Sequence, residues 1–546
     1  MTTTSNMDNG IVEDIAWPVN IETMALEQKQ KQKEEKKKKH RRICGFPLFP
    51  CLLLSLLSLL LAALLTYLLA RNRHFIVAAA AAANMTNDTY QETTYETTLS
   101  TSTTLNSTTP VPCGPSCLKQ SWINDSSLLA YWSFDDTYDD KTGIYNRTTS
   151  SNLPSLVTGY LGQAALFNAS AQQALYISHI PINSVSFTIE AWIKPTAYPN
   201  PADHSIVGLC PSEVIDHCLH INIRYGVLYF GFYYDDVRGG TYISLNRWIH
   251  VAFVFDNTTN MQTIYLNGYP DAAKPTVNML QVSSGAFTIA TNERVSYPNN
   301  FFQGYIDELT ITQRAKSLCE IVERATLAAY FKFDTSAPYS DSGPNRVATT
   351  SSATSIVAGN KSQSVSFTGT SSSYFQTWGY TSFGITDHPF SIALWIQPRT
   401  LTGTLVHLSS TASGTGSTCF PLLGFSSTGA IVGQVLTSSN TLVSAVDLVA
   451  GNPSSWTLVV LTWSSANGLR LYVNDELVSS AEASTFLASE TIPNYFTLGN
   501  CLSGCTACPS GSVSSPGPFV GLVDDWHIFS REITADDVCV LYTDTD

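Results

Sequence analysis

The chain says the same thing twice. Ser186–Pro195 (SFTIEAWIKP) returns as Pro389–Pro398 (PFSIALWIQP). Arg247–Gly268 (RWIHVAFVFDNTTNMQTIYLNG) returns as Ser455–Asp475 (SWTLVVLTWSSANGLRLYVND), with Trp248 answering Trp456 and Gly226 answering Gly429. Gly304–Ile321 returns as Gly521–Leu541, and the openings Leu129–Asp136 (LAYWSFDD) and Ala328–Thr335 (AAYFKFDT) also match. Any fold must therefore be one that a unit of roughly 200 residues adopts twice, a size usual for one all-β domain. FTIEAWI, HVAFVF, TIYLNG and FTIA alternate or run apolar in β-branched and aromatic residues, between clusters of Gly, Asn, Pro and Ser. That is strand patterning. Helical periods are confined to Ala315–Ala325 and Thr534–Leu541. The expectation is all-β: two tandem antiparallel sandwiches, repeat 1 at 122–324 and repeat 2 at 325–546.

What precedes the repeats is of another kind. Ile43–Ala70 holds no charged residue, and Phe49–Ala70 alone supplies the roughly 20 apolar residues that a membrane-spanning helix needs. Lys29–Arg42 is a basic run on its N-terminal side, whereas only Arg71 and Arg73 follow. That asymmetry predicts a cytoplasmic N-terminus. The run is longer than the h-region of a cleaved signal peptide, so a signal anchor at 44–70 is expected, behind a cytoplasmic tail at 1–43. The result is a single-pass type II protein of the cell membrane with its C-terminal domains outside. All eight N-x-S/T sequons lie beyond the span: Asn84, Asn87, Asn106, Asn124, Asn146, Asn168, Asn257 and Asn360. Such sites are glycosylated only in the secretory lumen. Residues 71–121 are rich in Thr without apolar period, which reads as a glycosylated stalk. The formal net charge of −14 excludes a nucleic-acid binder.

Ten cysteines follow the span: Cys113, Cys117, Cys210, Cys218, Cys319, Cys419, Cys501, Cys505, Cys508 and Cys539. An even number in an oxidising compartment predicts disulfides rather than metal or redox sites. Cys210–Cys218 is the best local pair. Cys319 and Cys539 end the repeats at matching places and pair either with each other or, for Cys319, with Cys117.

The order F-D, F-x-I-x-x-W-[IV]-x-P, W-x-x-[VL]-x-x-[VT]-[FW], L-x-[VL]-N-G and G-x-[IV]-D-[ED] resembles the laminin G-like, concanavalin A-type jelly roll. It covers Leu129–Glu323 and Leu327–Tyr542. The resemblance implies two packed sheets with a concave face, and recognition of glycans or matrix proteins. It also implies a structural calcium, since in similar domains the early F-D aspartate, the aspartate of the next Gly-containing loop and the late I-D-E aspartate meet around the ion. Here those are Asp135, Asp140 and Asp307 in repeat 1, and Asp334, Asp341 and Asp524 in repeat 2. Turn capping is the other use of such aspartates.

Glycosidase chemistry needs two carboxylates flanking one bond. No E-x-D-x-E run is present, Glu190 stands alone in its strand, and Asp307–Glu308 and Asp524–Asp525 are neighbours that alternation sends to opposite faces. G-x-S-x-G, H-E-x-x-H and the P-loop are missing too, so no catalytic residues are expected. The aromatics point to binding. In Val227–Asp236 (VLYFGFYYDD), alternation puts Leu228, Phe230, Phe232 and Tyr234 on the core face, and Tyr229 and Tyr233 on the other. Tyrosine rings stack on sugars or peptides while their hydroxyls form hydrogen bonds. The counterpart Ala430–Ser439 (AIVGQVLTSS) has no ring, so repeat 1 is the expected binder and repeat 2 a spacer. Trp192, Trp248, Trp395 and Trp456 are expected in the core. The expected function is non-catalytic binding of extracellular glycan or matrix protein; a membrane-tethered carbohydrate-active enzyme and a structural coat protein are the alternatives.

Overall fold

In the strand Phe187–Pro195, the side chains of Phe187, Ile189, Ala191 and Ile193 are buried in one apolar core. Its copy Phe390–Pro398 does the same with Phe390, Ile392, Leu394 and Ile396. These two strands are the middles of the sheets that define the fold. The computed structural model describes residues 113–119, 126–149, 152–199, 203–292, 294, 300–334, 337–490 and 494–544, all within the unit Thr109–Asp546. The tail, the apolar run at 44–70, Asn84, Asn87, Asn106 and Asn124 lie outside the described residues. Among those described, no helix is long and apolar enough to cross a membrane.

Each repeat is a sandwich of two antiparallel sheets. The first sheet of repeat 1 runs Tyr269–Pro275, Met261–Leu266, Ile249–Asp256, Phe187–Pro195, Gly304–Thr312, Gln163–Phe167, Ser155–Thr158, with Leu128–Trp132 also paired to Gly304–Thr312. Facing it are Asp236–Tyr242, Val227–Gly231, Leu219–Arg224, His204–Leu209, Phe287–Ile289, Leu175–Ile177 and Arg147–Thr149. Repeat 2 builds the same pair of sheets around Phe390–Pro398 and around Thr404–Ser409.

Among the described residues the α-helices are α1 (Leu318–Thr326), the short α2 (Gly504–Ala507) and α3 (Ala535–Thr543). Both longer helices start at a capping box, Ser317 with Glu320 and Thr534 with Asp537. In such a box two of the free N–H groups of the first turn are satisfied reciprocally. The boundary expected between residues 324 and 325 falls inside α1.

The outer face of the first sheet is covered. Ile321 of α1 packs on Ala252 and Val254. Glu190 is buried there, ion-paired with Lys316 and 3.8 Å from His250. Trp192 stacks on Tyr160 at 3.5 Å between ring centroids, and both belong, with Leu161, to the apolar core of repeat 2. The tryptophans thus pack on the outer faces of the sheets: Trp192 and Trp395 are buried, Trp248 and Trp456 half-buried. Polar contacts cross the same seam. The Thr381 hydroxyl donates to Tyr160 O at 2.7 Å. Arg324 of α1 donates to Glu308 in repeat 1, and to Pro344 O and Asn345 in repeat 2.

Among the described residues five disulfides form: Cys113–Cys539, Cys117–Cys319, Cys210–Cys218, Cys419–Cys508 and Cys501–Cys505. Cys319 and Cys539 do not join each other; each takes a partner from residues 113–119, where Cys117–Lys119 forms a 3-10 turn. Residues 113–119 are therefore bolted to α1 of one repeat and α3 of the other.

Candidate functional site

Tyr229 sits in Val227–Gly231, opposite Asn222 on one neighbouring strand and Arg238 on the other. Leu228, Phe230 and Phe232 point inward and are fully buried, with Phe187, Phe253 and Phe255 edge-on or tilted around them. Tyr229 and Tyr233 lie on the other side and are half-buried. Tyr234 departs from the expectation: it is 82% exposed instead of joining the core. The strand ends at Gly231, and Tyr233 and Tyr234 both take positive φ (75° and 59°) as the chain turns. Alternation has no meaning in a turn.

The floor beneath the tyrosines is polar, buried and internally bonded. Asp203 is fully buried and holds two arginines: Arg224 through Nε and Nη2, and Arg294 at 3.2 Å. The Arg224 guanidinium lies 4.6 Å from the Tyr229 ring centre, and that of Arg294 5.3 Å from Tyr233. Asn222 donates to Asp203, and accepts from Ser205 at 2.7 Å and Asn292 at 3.0 Å. Burial pushes the Asp236 carboxyl up, but the His220 hydrogen bond and charge, with Arg224 and Arg294, hold it below its ordinary value. A ring backed by a fixed cation and ringed by amides and carboxylates presents both a π face and directed hydrogen-bonding groups. Sequence reasoning missed Asp203, Asn222 and Arg224. The alternating His220, Asn222 and Arg224 in LHINIR were the available signal.

The same face of repeat 2 is covered by its own chain. Residues 410–418 and 501–513 lie over it, tied by Cys419–Cys508 and Cys501–Cys505. His407 is buried, with Nε2 2.7 Å from Gly414 O, and burial lowers it to about 4. Gln434 is buried and donates to Pro421 O and Ser510 O. A Cβ on Gly504 would come within 2.6 Å of the His407 ring.

The six aspartates divide into two kinds. Asp140 is bound by its own loop, through the N–H groups of Tyr131, Thr142, Ile144 and Tyr145 and the Thr142 hydroxyl. Asp341 takes Tyr330, Gly343 and Val347 N–H in the same way. Asp135 and Asp307 instead grip one turn from both sides, Asp135 at Gln163 N and Asp307 at Tyr160 N and Leu161 N. Asp334 and Asp524 repeat this at Gln363, and at Asn360 and Lys361. The approach is close: a Cβ on Gly159 or Gly162 would meet the carboxylates of Asp307 or Asp135. One oxygen of Asp307 and one of Asp524 are buried without a hydrogen-bond partner. Burial, then Glu308, raises Asp307 well above the carboxylate range; burial lifts Asp524 to about 7. Among the described residues no three His, Cys, Asp or Glu side chains converge on one point. The expected trios thus resolve into pairs plus a turn, with Asp140 and Asp341 held apart in their own loops. Each pair keeps one buried oxygen free of hydrogen bonds, on Asp307 and on Asp524, a hard donor of the kind a divalent cation takes.

Asp307 and Glu308 do not simply alternate. The pairing of Gly304–Thr312 with Phe187–Pro195 slips between Asp307 and Thr310, and Glu308 takes φ 53°. This bulge buries both carboxylates, and Glu308 reaches the Tyr131 hydroxyl and Arg324. Asp525 repeats the feature with φ 52° and pairs with Lys361. Of the sequons described, Asn146, Asn168 and Asn360 are exposed and Asn257 is half-buried.

The family profile described as the Concanavalin A-like lectin/glucanases superfamily matches residues 169–322 and 367–539. No curated protein matches the chain. Solved structures similar to it include domain 4 of AbnA, an extracellular GH43 arabinanase of Geobacillus stearothermophilus, in complex with arabinotriose (20% identity, 36% of this chain and 97% of that one, TM-score 0.30). Others are the binding domain of Paraclostridial Mosquitocidal Protein 1 (11% identity, 75% and 98%, TM-score 0.34) and domains LG4-5 of the mouse laminin alpha1 chain (13% identity, 71% and 95%, TM-score 0.24). The profile falls on both sandwiches and spans more than half of the sequence, so the chain belongs to the concanavalin A-like lectin/glucanase superfamily, as two tandem laminin G-like domains.

Proposed function

We propose that this protein is a non-catalytic receptor for an extracellular glycan or matrix protein, held at the cell surface by a single N-terminal span in type II orientation. Ligand is taken on the outer face of the second sheet of repeat 1, with Tyr229 and Tyr233 as its platform. The observation that carries the reading is the contrast between the copies: half-exposed rings over a bonded Asp203–Arg224–Asn222 floor in one, a disulfide-tied cover in the other. Membership of the concanavalin A-like lectin/glucanase superfamily supports a glycan as ligand. The basic flank of the apolar run and the lumenal sequons support the orientation. A structural calcium in each repeat, held by Asp135 and Asp307 and by Asp334 and Asp524, braces the turns beside them.

The test is a binding screen of glycans and matrix proteins on the full chain, with and without calcium. Tyr229→Ala with Tyr233→Ala should abolish binding and leave the near-UV dichroism intact. Phe230→Ala should instead cost about 3–5 kcal/mol of stability, as truncation of a buried Phe does. A double tyrosine variant that binds like the parent sinks the assignment.

A further inference from the structure

A cavity of about 700 Å3 lies on the seam between the repeats, within the roughly 300–1,000 Å3 of small-ligand sites. Tyr131, Asp135, Lys141 and Glu308 line it from repeat 1, Arg346 and Trp378 from repeat 2. Of its two acids, only Glu308 is neutralised by a cation. Glu308 accepts from the Tyr131 hydroxyl at 2.9 Å and pairs with Arg324 at 2.8 Å, and Asp135 accepts the Gln163 N–H at 3.1 Å. Its two cations, Lys141 and Arg346, are exposed, and neither side chain has an ion pair among the described residues. Two unpaired cations thus face the cavity against the one carboxylate of Asp135, which leaves its lining net positive in a chain whose net charge is −14.

The rest of the wall suits a ring bearing hydroxyls. Trp378 offers a half-buried indole, and the Gly159–Gly162 turn and Gly379 bring main chain close to the surface. The walls are fixed relative to each other by the Tyr160–Trp192 stack, by Arg324 and by the two disulfides of residues 113–119. A site assembled before binding spends little affinity on ordering. The geometry points to a second binding site here, for a carboxylate-bearing sugar unit such as a hexuronate, its acid group between Lys141 and Arg346 and its ring face on Trp378. The site is independent of the tyrosine platform of repeat 1.

Calorimetry on the full chain carrying Tyr229→Ala and Tyr233→Ala separates the two. A hyaluronan tetrasaccharide should bind this chain, and neutral chitotetraose should not. Adding Lys141→Ala with Arg346→Ala, or Trp378→Ala alone, should weaken binding at least tenfold, and Lys141→Arg with Arg346→Lys should restore it. Near-UV dichroism checks that each variant is folded. Several results overturn the proposal: no binding by the starting chain, equal binding of chitotetraose or of an acidic peptide, or indifference to all three cavity substitutions. Loss of binding on chelation, with the cation variants unaffected, overturns it as well, because the acid group then sits on a metal ion. A heparin-derived tetrasaccharide with its carboxyls reduced tests sulfate as the recognised group; tighter binding of that probe rules out the carboxylate.

Discussion

Asp524 places one carboxylate oxygen on the N–H groups of Asn360 and Lys361 and buries the other against no donor. Burial raises it from 3.8 to about 7. The native state then binds a proton between about pH 4 and pH 7 that the unfolded chain has released. Stability therefore falls as pH rises through that window and levels off above it. Asn mimics the protonated acid. In chelator, Asp524→Asn should match the parent in melting temperature near pH 4 and exceed it above pH 7. With calcium the order above pH 7 should reverse, because the cation needs the ionised group and ligand binding stabilises the native state. Identical curves for parent and variant across pH 4–8 remove Asp524 from any titrating or cation-binding role. Residues at this scale were legible where strand period alone decides direction: Tyr229 and Phe230 fall on the faces that alternation gives them. They were not legible where the backbone leaves the strand, as at Tyr234 in its turn or Glu308 in its bulge. Asp203 and Arg224 were hidden for another reason, since each matters only through a partner on a different strand.

At the scale of elements, the two repeats share their sheets and differ in what lies on them. The sequence shows the missing rings of Ala430–Ser439, and the CLSGCTAC cluster reads as bridged. It does not show that 501–513 lies over the sheet, because that follows from Cys419 pairing with Cys508 across 89 residues. Capping boxes, by contrast, are local signals, and both longer helices begin within three residues of the stretches read as helical. Removing a native disulfide costs about 2–4 kcal/mol. Cys419→Ser with Cys508→Ser should therefore destabilise repeat 2 and loosen its cover. Hydrogen exchange should quicken in Thr404–Ser409 and Ala430–Leu436, and stay unchanged in Leu219–Arg224 and Val227–Gly231. Equal acceleration in both repeats would mean that the cover is not what distinguishes them.

At the scale of the molecule, tandem repeats joined by a linker are free to unfold one at a time, and the sequence carries no sign that these two do otherwise. The seam says they do. Tyr160, Leu161 and Trp192 of repeat 1 belong to the core of repeat 2, and α1 serves both. Arg324 is the buried link, reaching Glu308 on one side and Asn345 and Pro344 O on the other. Arg531 of repeat 2 returns the contact to Glu323 and the Thr326 hydroxyl on α1. Breaking a buried pair from one side leaves a charge without compensation and costs about 3–5 kcal/mol. For Arg324→Met the stranded charge is Glu308, which already sits above the ordinary carboxyl value because of burial. The intact protein should unfold in one calorimetric transition. Arg324→Met should lower that transition or split it in two, and Glu308→Gln added to it should recover part of the loss, since the stranded charge is then gone. Two transitions in the parent would show that the seam does not couple the sandwiches, and the cavity between them would then lack the fixed walls on which its affinity depends.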